Sequence, residues 1–341
     1  MTMRRALLGP LGALLVATAV GSLLVLAYGQ APAQVWMLLL RGTWGNAYGI
    51  GQVLYKATPL MCAGLAVALP LRAGLFNIGA EGQLTVGALA AAVVGAHAAR
   101  LPAPLAILLV IAAAALAGGA WASIAGGLRT RFGAHEVITT IMLNFLAAAL
   151  VNWLGTRWLY LREAQHTAEL AASARLPRLA VLASALHGSA ASLALLVALA
   201  LCGAAAWLLF RTRLGFEMRA VGLSPLAAET AHIALGRTTF VALALAGALA
   251  GVGSIAFVQG YKYYFEEGFT GGVGYMGIAV AVLARNHPLA IIPAALFFGT
   301  LSQGGLVVNF LVPKEMVDVL QAVVIVAVAV ASAQLGRRGR A

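Results

Sequence analysis

Three polar stretches interrupt an otherwise apolar chain, and any chemistry has to come from them. The first reads Arg72-Ala-Gly-Leu-Phe-Asn77-Ile-Gly79-Ala-Glu81-Gly82-Gln83. Asn77, Glu81 and Gln83 offer hydrogen-bond donors and acceptors to a polar solute, but no nucleophile. Glu81 also suits the start of a helix, where the macrodipole favours negative charge. Two readings stay open: a turn that begins the next helix, or a broken, re-entrant segment lining a solute path. The second stretch runs from Gly133-Ala-His135-Glu136 to Asn144 and on to Asn152. Thr140 and Asn144 are four apart and share one helical face. There they can bond a neighbouring helix or line a pore, while Glu136 serves the helix start. The third stretch, Gln259 through Tyr264 to Glu267, fits an interfacial belt or an outer docking surface.

The chemistry that is missing narrows the choice further. Asp318 is the single aspartate, which excludes paired aspartates holding magnesium and a phosphorylated aspartate ahead of a lysine. No glycine precedes Lys56, Lys262 or Lys314, so the GxxxxGK[ST] phosphate loop is missing and the chain is not expected to be an ATPase. The six histidines show no metal-ligand spacing, and neither a metal nor a cofactor is expected in this chain. Gly272-Val-Gly274-Tyr-Met-Gly277 matches GxGxxG, but it opens an apolar helix and lacks the preceding strand of a dinucleotide site. Tight turning and close packing explain it better. Gly247-Ala-Leu-Ala-Gly251 marks a face that another helix backbone approaches closely.

The elements that must position these residues are membrane helices. Of 341 residues, 62% are hydrophobic and only 9% charged, with a mean hydropathy of +0.95. A compact soluble domain could not cover so much apolar surface, and a disordered chain would not carry it. A spanning helix needs about 20 apolar residues. The runs between charges fall near 6–28, 53–71, 82–99, 103–128, 137–159, 189–210, 238–260, 271–284, 289–310 and 317–335. The expected fold is therefore an all-α polytopic membrane protein, a single domain with about ten transmembrane helices. With a cytoplasmic N-terminus, thirteen of the 22 basic residues fall on the inner side, which puts both termini in the cytoplasm. The first run is too long for a secretory signal core and reads as an uncleaved anchor. Cys62 and Cys202 lie inside apolar runs as packing residues. The net charge of +12 resides in breaks between runs, not in a basic stripe, so nucleic acid is not a partner.

The inner loop 211–237 carries the clearest local signal. Ser224 followed by Pro225 is an N-cap with proline at the first helical position. The pattern predicts a short cytoplasmic helix from 225 to about 235, stopped by Gly236. Spacing alone leaves it either a docking element or an idle linker.

Four ordered motifs then resemble a known family. They are Gly74-Leu-Phe-Asn-Ile-Gly-Ala-Glu-Gly-Gln83, Glu136-Val-Ile-Thr-Thr-Ile-Met-Leu-Asn144, Arg219-Ala-Val-Gly-Leu-Ser-Pro-Leu-Ala-Ala228 and Gly277-Ile-Ala-Val-Ala-Val-Leu-Ala-Arg-Asn-His-Pro288. Together they resemble the bacterial ABC importer permeases of the branched-chain amino acid and simple-sugar superfamily, most closely the nucleoside type. The resemblance implies a permease subunit of the cytoplasmic membrane that moves a small polar solute, a nucleoside or related compound or a sugar. It implies a second permease, related or identical, two ATPase subunits that bind ATP and Mg, and an extracytoplasmic binding protein. It implies coupling to the ATPase through Glu217, Arg219, Gly222, Ser224, Ala227 and Ala228, and a substrate path near Asn77, Glu81, Gln83, Thr140 and Asn144. Two departures stand out: Ala231-His232-Ile233 where the family often has Ala-Gly-Ile, and Ala284-Arg285-Asn286-His287-Pro288 where it often has Gly-Arg-Asn-Asn-Pro. The competing reading is an ion-gradient-driven transporter, which would place carboxylates near the midplane, where only Glu81 comes close. A membrane enzyme ranks third, against the missing chemistry above.

Overall fold

The computed structural model describes residues 15–16 and 18–338, and these are helical with isolated β-bridges and no strand. The elements are α1 (Thr18–Ala27), α2 (Pro32–Thr43), α3 (Ala47–Leu71), α4 (Ala80–Ala96), α5 (Ala103–Phe132), α6 (Glu136–Leu154), α7 (Ala194–Arg211), α8 (Arg213–Leu223) and α9 (Pro225–Thr230). They continue with α10 (Leu235–Gly253), α11 (Ile255–Phe257), α12 (Val273–Leu283), α13 (Ile291–Val308) and α14 (Lys314–Arg338).

Six described helices are long and apolar enough to cross a bilayer, or seven if the pair α1 and α2, bent by 118°, is one span. Every expected run contains helix, but in two of them the helix is short. The run at 82–99 is α4, with 17 residues, and the run at 271–284 is α12, with 11. At 1.5 Å per residue α12 covers about 16 Å, roughly half of a hydrocarbon core of about 30 Å. Residues 6–14 of the first run lie outside the described residues.

α3 is the central post, buried along most of its length and packed by α7, α10, α12 and α13. α10 crosses α5 at the Gly247–Gly251 face. A Cβ on Gly247 or Gly251 would strike the carbonyl oxygens of Gly118 and Ala114, so only glycine permits this backbone-to-backbone approach. α5 and α6 are buried on about a third of their surface, and their outer faces show Leu108, Leu116, Phe145 and Trp153. An apolar outward face of this kind suits lipid or another membrane subunit.

The loops sort into two ends. At one end Arg72 donates to the Asn286 carbonyl at 2.9 Å, His287 stacks on Phe210 at 5.3 Å, and Arg219 lies over the Phe210 ring. At the other end the loop after α6 lies along residues 259–265. Leu176 N–H donates to Gln259 O at 2.9 Å and Thr167 N–H to Phe265 O at 2.9 Å, while Arg175 sits over Tyr263. The third polar stretch is thus partly covered by the chain's own loop, with Gln259 buried and donating to Ala174 O while Tyr261 and Glu267 stay exposed.

Candidate functional site: two half-helices that meet inside the protein

After α3 ends, the chain does not cross to a new span through a simple turn. Residues 75–79 fold back beside α3, and the Asn77 amide donates to the Ala66 carbonyl at 3.1 Å. Ala66 lies five residues before the end of α3, so α4 begins roughly 7 Å inside that end. From the opposite side α12 starts where Gly277 packs on Ala63 and Gly274 packs on the backbone of Ala80 and Glu81. The N-termini of α4 and α12 therefore meet beside the middle of α3. Broken helices of this sort occur at membrane depth only where protein or a cavity satisfies the freed backbone.

Side chains hold several of the backbone N–H groups freed at the junction, among them those of Ile78, Gly79, Gly82, Gly272 and Gly274. Glu81, in the first turn of α4, caps the other half-helix. Its carboxylate accepts from the Thr270 hydroxyl, from Gly272 N–H at 3.2 Å and from Gly274 N–H at 2.6 Å. A carboxylate on the first N–H groups of α12 meets the positive end of that helix dipole. Gly272 has φ +83°, a left-handed conformation that turns the loop into the helix. A Cβ at Gly274 would collide with the Glu81 backbone.

Asn77 and Gln83 exchange two side-chain hydrogen bonds, Nδ2 to Oε1 at 2.9 Å and Nε2 to Oδ1 at 3.0 Å, and both are buried. Asn77 Oδ1 also accepts from Gly79 N–H. Asn144 reaches across from α6: its Oδ1 accepts from Gly82 N–H at 2.9 Å, and its Nδ2 donates to Ile78 O at 2.9 Å and to the Tyr275 hydroxyl at 3.2 Å. The Thr140 hydroxyl accepts from Ile78 N–H and donates to Glu136 O at 2.7 Å. Asn77, Glu81, Gln83, Thr140 and Asn144 are thus one network, engaged in holding the break. A neighbouring cavity that the sequence reading missed lies behind the Gly271–Gly272 loop and touches Lys56 and Asp318. Its signal was present: Lys56 is a lysine inside an apolar run, and Asp318 is the lone aspartate.

The inner loop differs from its expected form. It holds two helices, α8 and α9. Thr212 Oγ1 caps α8 by accepting from Gly215 N–H at 3.1 Å, and Arg213 pairs with Glu217 at 2.9 Å one turn on. Arg219 Nε approaches Gly215 O, and Gly222 packs on the Arg72 backbone. Burial and the neighbouring Arg219 guanidinium lower the pKa of Arg72. Ser224 Oγ accepts from Ala227 N–H at 3.3 Å, with Pro225 at the first helical position as expected. The helix stops at Thr230 and not near 235. His232 takes φ +57°, its N–H donates to Glu229 O, and Ile233 N–H donates to Ala228 O at 3.0 Å. That pair of bonds is a Schellman stop, usually built on glycine. Gly236 falls inside α10. Of the residues that the resemblance assigns to coupling, Ala228 is 2% exposed and turns into the body, whereas the neighbouring Leu223 is 88% and Leu226 74% exposed.

An all-helical membrane body with discontinuous helices meeting at mid-depth is the architecture of a solute permease. Residues 49–329 match the family described as branched-chain amino acid transport system / permease component, and the chain belongs to that family. It is 36% identical over 327 residues to the guanosine ABC transporter permease of Bacillus subtilis, covering 95% of this chain and 93% of that one. It is 37% identical over 326 residues to a glucose ABC transporter permease of Haloferax volcanii, covering 93% and 85%. It is 32% identical over 332 residues to a nucleoside ABC transporter permease of Lactococcus lactis subsp. cremoris, covering 96% and 91%. No solved structure matches it. The chain is a multi-pass permease subunit of the ABC type, and the ATPase is not part of that role.

Proposed function

We propose that this permease imports nucleosides across a bacterial cytoplasmic membrane, driven by separate ATPase subunits. The observation that carries the substrate is near end-to-end similarity to permeases named for guanosine and for nucleosides. A second reading, a sugar, is favoured by the equal similarity to a glucose permease. The junction of α4 and α12 forms the hinge of the path, with Asn77, Glu81, Gln83, Thr140 and Asn144 holding its geometry. α8 and α9 receive the ATPase. Glu217, Arg219, Gly222 and Ser224 brace them, Ala228 seats α9 against the body, Ala227 keeps its outer face slim, and Leu223 and Leu226 supply the apolar contact. An extracytoplasmic binding protein delivers the solute, and a second permease covers part of the apolar outer face. Both termini are cytoplasmic, with about ten passes counting the half-helices.

Uptake of tritiated guanosine and of labelled glucose by cells carrying or lacking the gene tests the substrate. Guanosine uptake should depend on the gene and fall when ATP is depleted while the ion gradients are held. Uptake that follows the gradients and ignores ATP would overturn the ATP-driven reading. Cysteine labelling should report residues 165–180 outside and 215–230 inside, and the reverse labelling would overturn the orientation.

A further inference from the structure

The cavity behind the Gly271–Gly272 loop measures about 340 Å³ and is bounded by α3, α12, α13, α14 and residue 257. Its walls divide by chemistry. Tyr55, Phe257, Phe269 and Phe298 supply aromatic surface. Three of them are organised as a set: Phe257 stands edge-on to Tyr55 at 5.9 Å and to Phe269 at 5.0 Å. The polar side consists of Lys56, Ser302, Asp318 and Gln321. Thr270 also reaches the cavity, but its hydroxyl is donated to Glu81.

Lys56 is the anomaly. It is the tenth residue of a long apolar helix, partly buried, and among the described residues it forms no ion pair. An ionisable side chain at membrane depth without a partner is costly, and it persists where a ligand or water uses it. Asp318 lines the same cavity and makes no ion pair among the described residues either. A donor cation and an acceptor carboxylate thus line one space together with Ser302, Gln321 and the aromatic set.

We infer that this cavity binds the solute, and that the solute is a heteroaromatic compound of nucleoside size with hydrogen-bonding groups at one edge. The inference rests on the permease reading and deepens it. The volume sits at the small end of the roughly 300–1,000 Å³ typical of ligand pockets, a size that suits a single small solute. The lining mixes polar side chains with an aromatic set, so Tyr55, Phe257 and Phe269 offer a flat ring a wall to stack on while the polar groups take its hydrogen-bonding edge. Lys56 donates to a ring or carbonyl acceptor, and Asp318 accepts from an amino or hydroxyl group. Glu81 acts from the far side of the Gly271–Gly272 loop as a positioning residue, because its three bonds fix the loop that closes the cavity.

The test uses the full chain in lipid nanodiscs, with tritiated guanosine as the probe and unlabelled adenosine, uridine and glucose as competitors. Wild type should bind guanosine, and nucleosides should displace it while glucose does not. Lys56→Met should weaken binding about tenfold or more, and Phe257→Ala by about fivefold to a hundredfold, the range of one ring–base stack. Lys56→Arg should restore most of the affinity. Removing an unpaired cation should leave the unfolding temperature of Lys56→Met equal to or above wild type, which separates lost binding from lost folding. Binding of glucose in place of guanosine would overturn the solute class. Guanosine binding that Lys56→Met and Phe257→Ala leave unchanged would overturn the site, while leaving the ATP-driven permease reading to its own uptake test.

Discussion

Replacing Glu81 is the sharpest probe of the half-helix junction. Its carboxylate takes three donors from the segment that starts α12: one hydroxyl and two backbone N–H groups. A hydrogen bond to a charged group contributes about 1.5–3 kcal/mol, and a well-placed charge at a helix N-terminus up to about 2 kcal/mol. These figures overlap and do not add, because the dipole is expressed through the same N–H groups. Glu81→Ala should therefore cost about 3–5 kcal/mol. Glu81→Gln keeps one carbonyl oxygen for Thr270 and Gly272, but it points an amide NH₂ at Gly274 N–H. That donor-to-donor contact should cost about 2–3 kcal/mol. The assay is amide hydrogen exchange on the detergent-purified chain, read at residues 270–276, alongside the unfolding temperature. With 1.4 kcal/mol per tenfold, Glu81→Gln should speed exchange at Gly274 by about 30-fold to 150-fold. Thr270→Ala, which removes one donor and leaves the carboxylate on both N–H groups, should change it by less than about tenfold. Unchanged exchange at 270–276 in Glu81→Ala would refute the capping argument outright.

Gly251→Leu should prevent assembly of the folded chain, since the α5 carbonyl wall at Ala114 leaves no room for a Cβ; monodisperse material in size-exclusion chromatography with wild-type unfolding would contradict this. His232→Gly should stabilise the α9 stop by about 1 kcal/mol because glycine relieves the positive φ, seen as slower exchange at residues 228–233; faster exchange would count against it. Leu226→Glu should abolish co-purification of the ATPase subunit while leaving the unfolding temperature within about a degree of wild type, since Leu226 touches solvent and not the core. Ala228→Trp should instead lower the unfolding temperature, because Ala228 faces the body; loss of ATPase binding with unaltered stability would reverse the assignment of the two faces.

Much of the helical architecture was legible because apolar runs between charges are long and their boundaries are polar. The N-cap at Ser224 and the close approach at Gly247–Gly251 were legible for the same local reason: each is a short pattern with one physical meaning. The end of α9 was not. A Schellman stop on His232 carries no glycine signal, so Gly236 drew the boundary into the next helix. The half-length of α12 was hidden because periodicity cannot say at what depth a helix starts. That depth is set by Gly277 against Ala63 and by Glu81, which lies 193 residues before Gly274. Asn77, Gln83 and Asn144 stood out as polar residues, but their partners Ala66 O, Ile78 O and Gly82 N–H are backbone groups that no residue type announces. Lys56 and Asp318 were visible one at a time, and only packing brings them to one cavity.

The span of the Glu81–Gly274 bond has a consequence for biogenesis. Synthesis at about 5–20 residues per second puts α12 on the order of 10–40 s behind α4. Through that interval α4 enters the membrane with its first-turn carboxylate uncapped, and its 17 residues are short for an independent anchor. Asn144, only 62 residues beyond Gly82, arrives much sooner and ties the start of α4 to α6. The junction therefore closes in two stages, first by an amide from the N-terminal half and last by α12. A chain truncated before Val273 would leave the insertion machinery holding a charged, open helix end, the kind of defect that membrane quality control is positioned to detect.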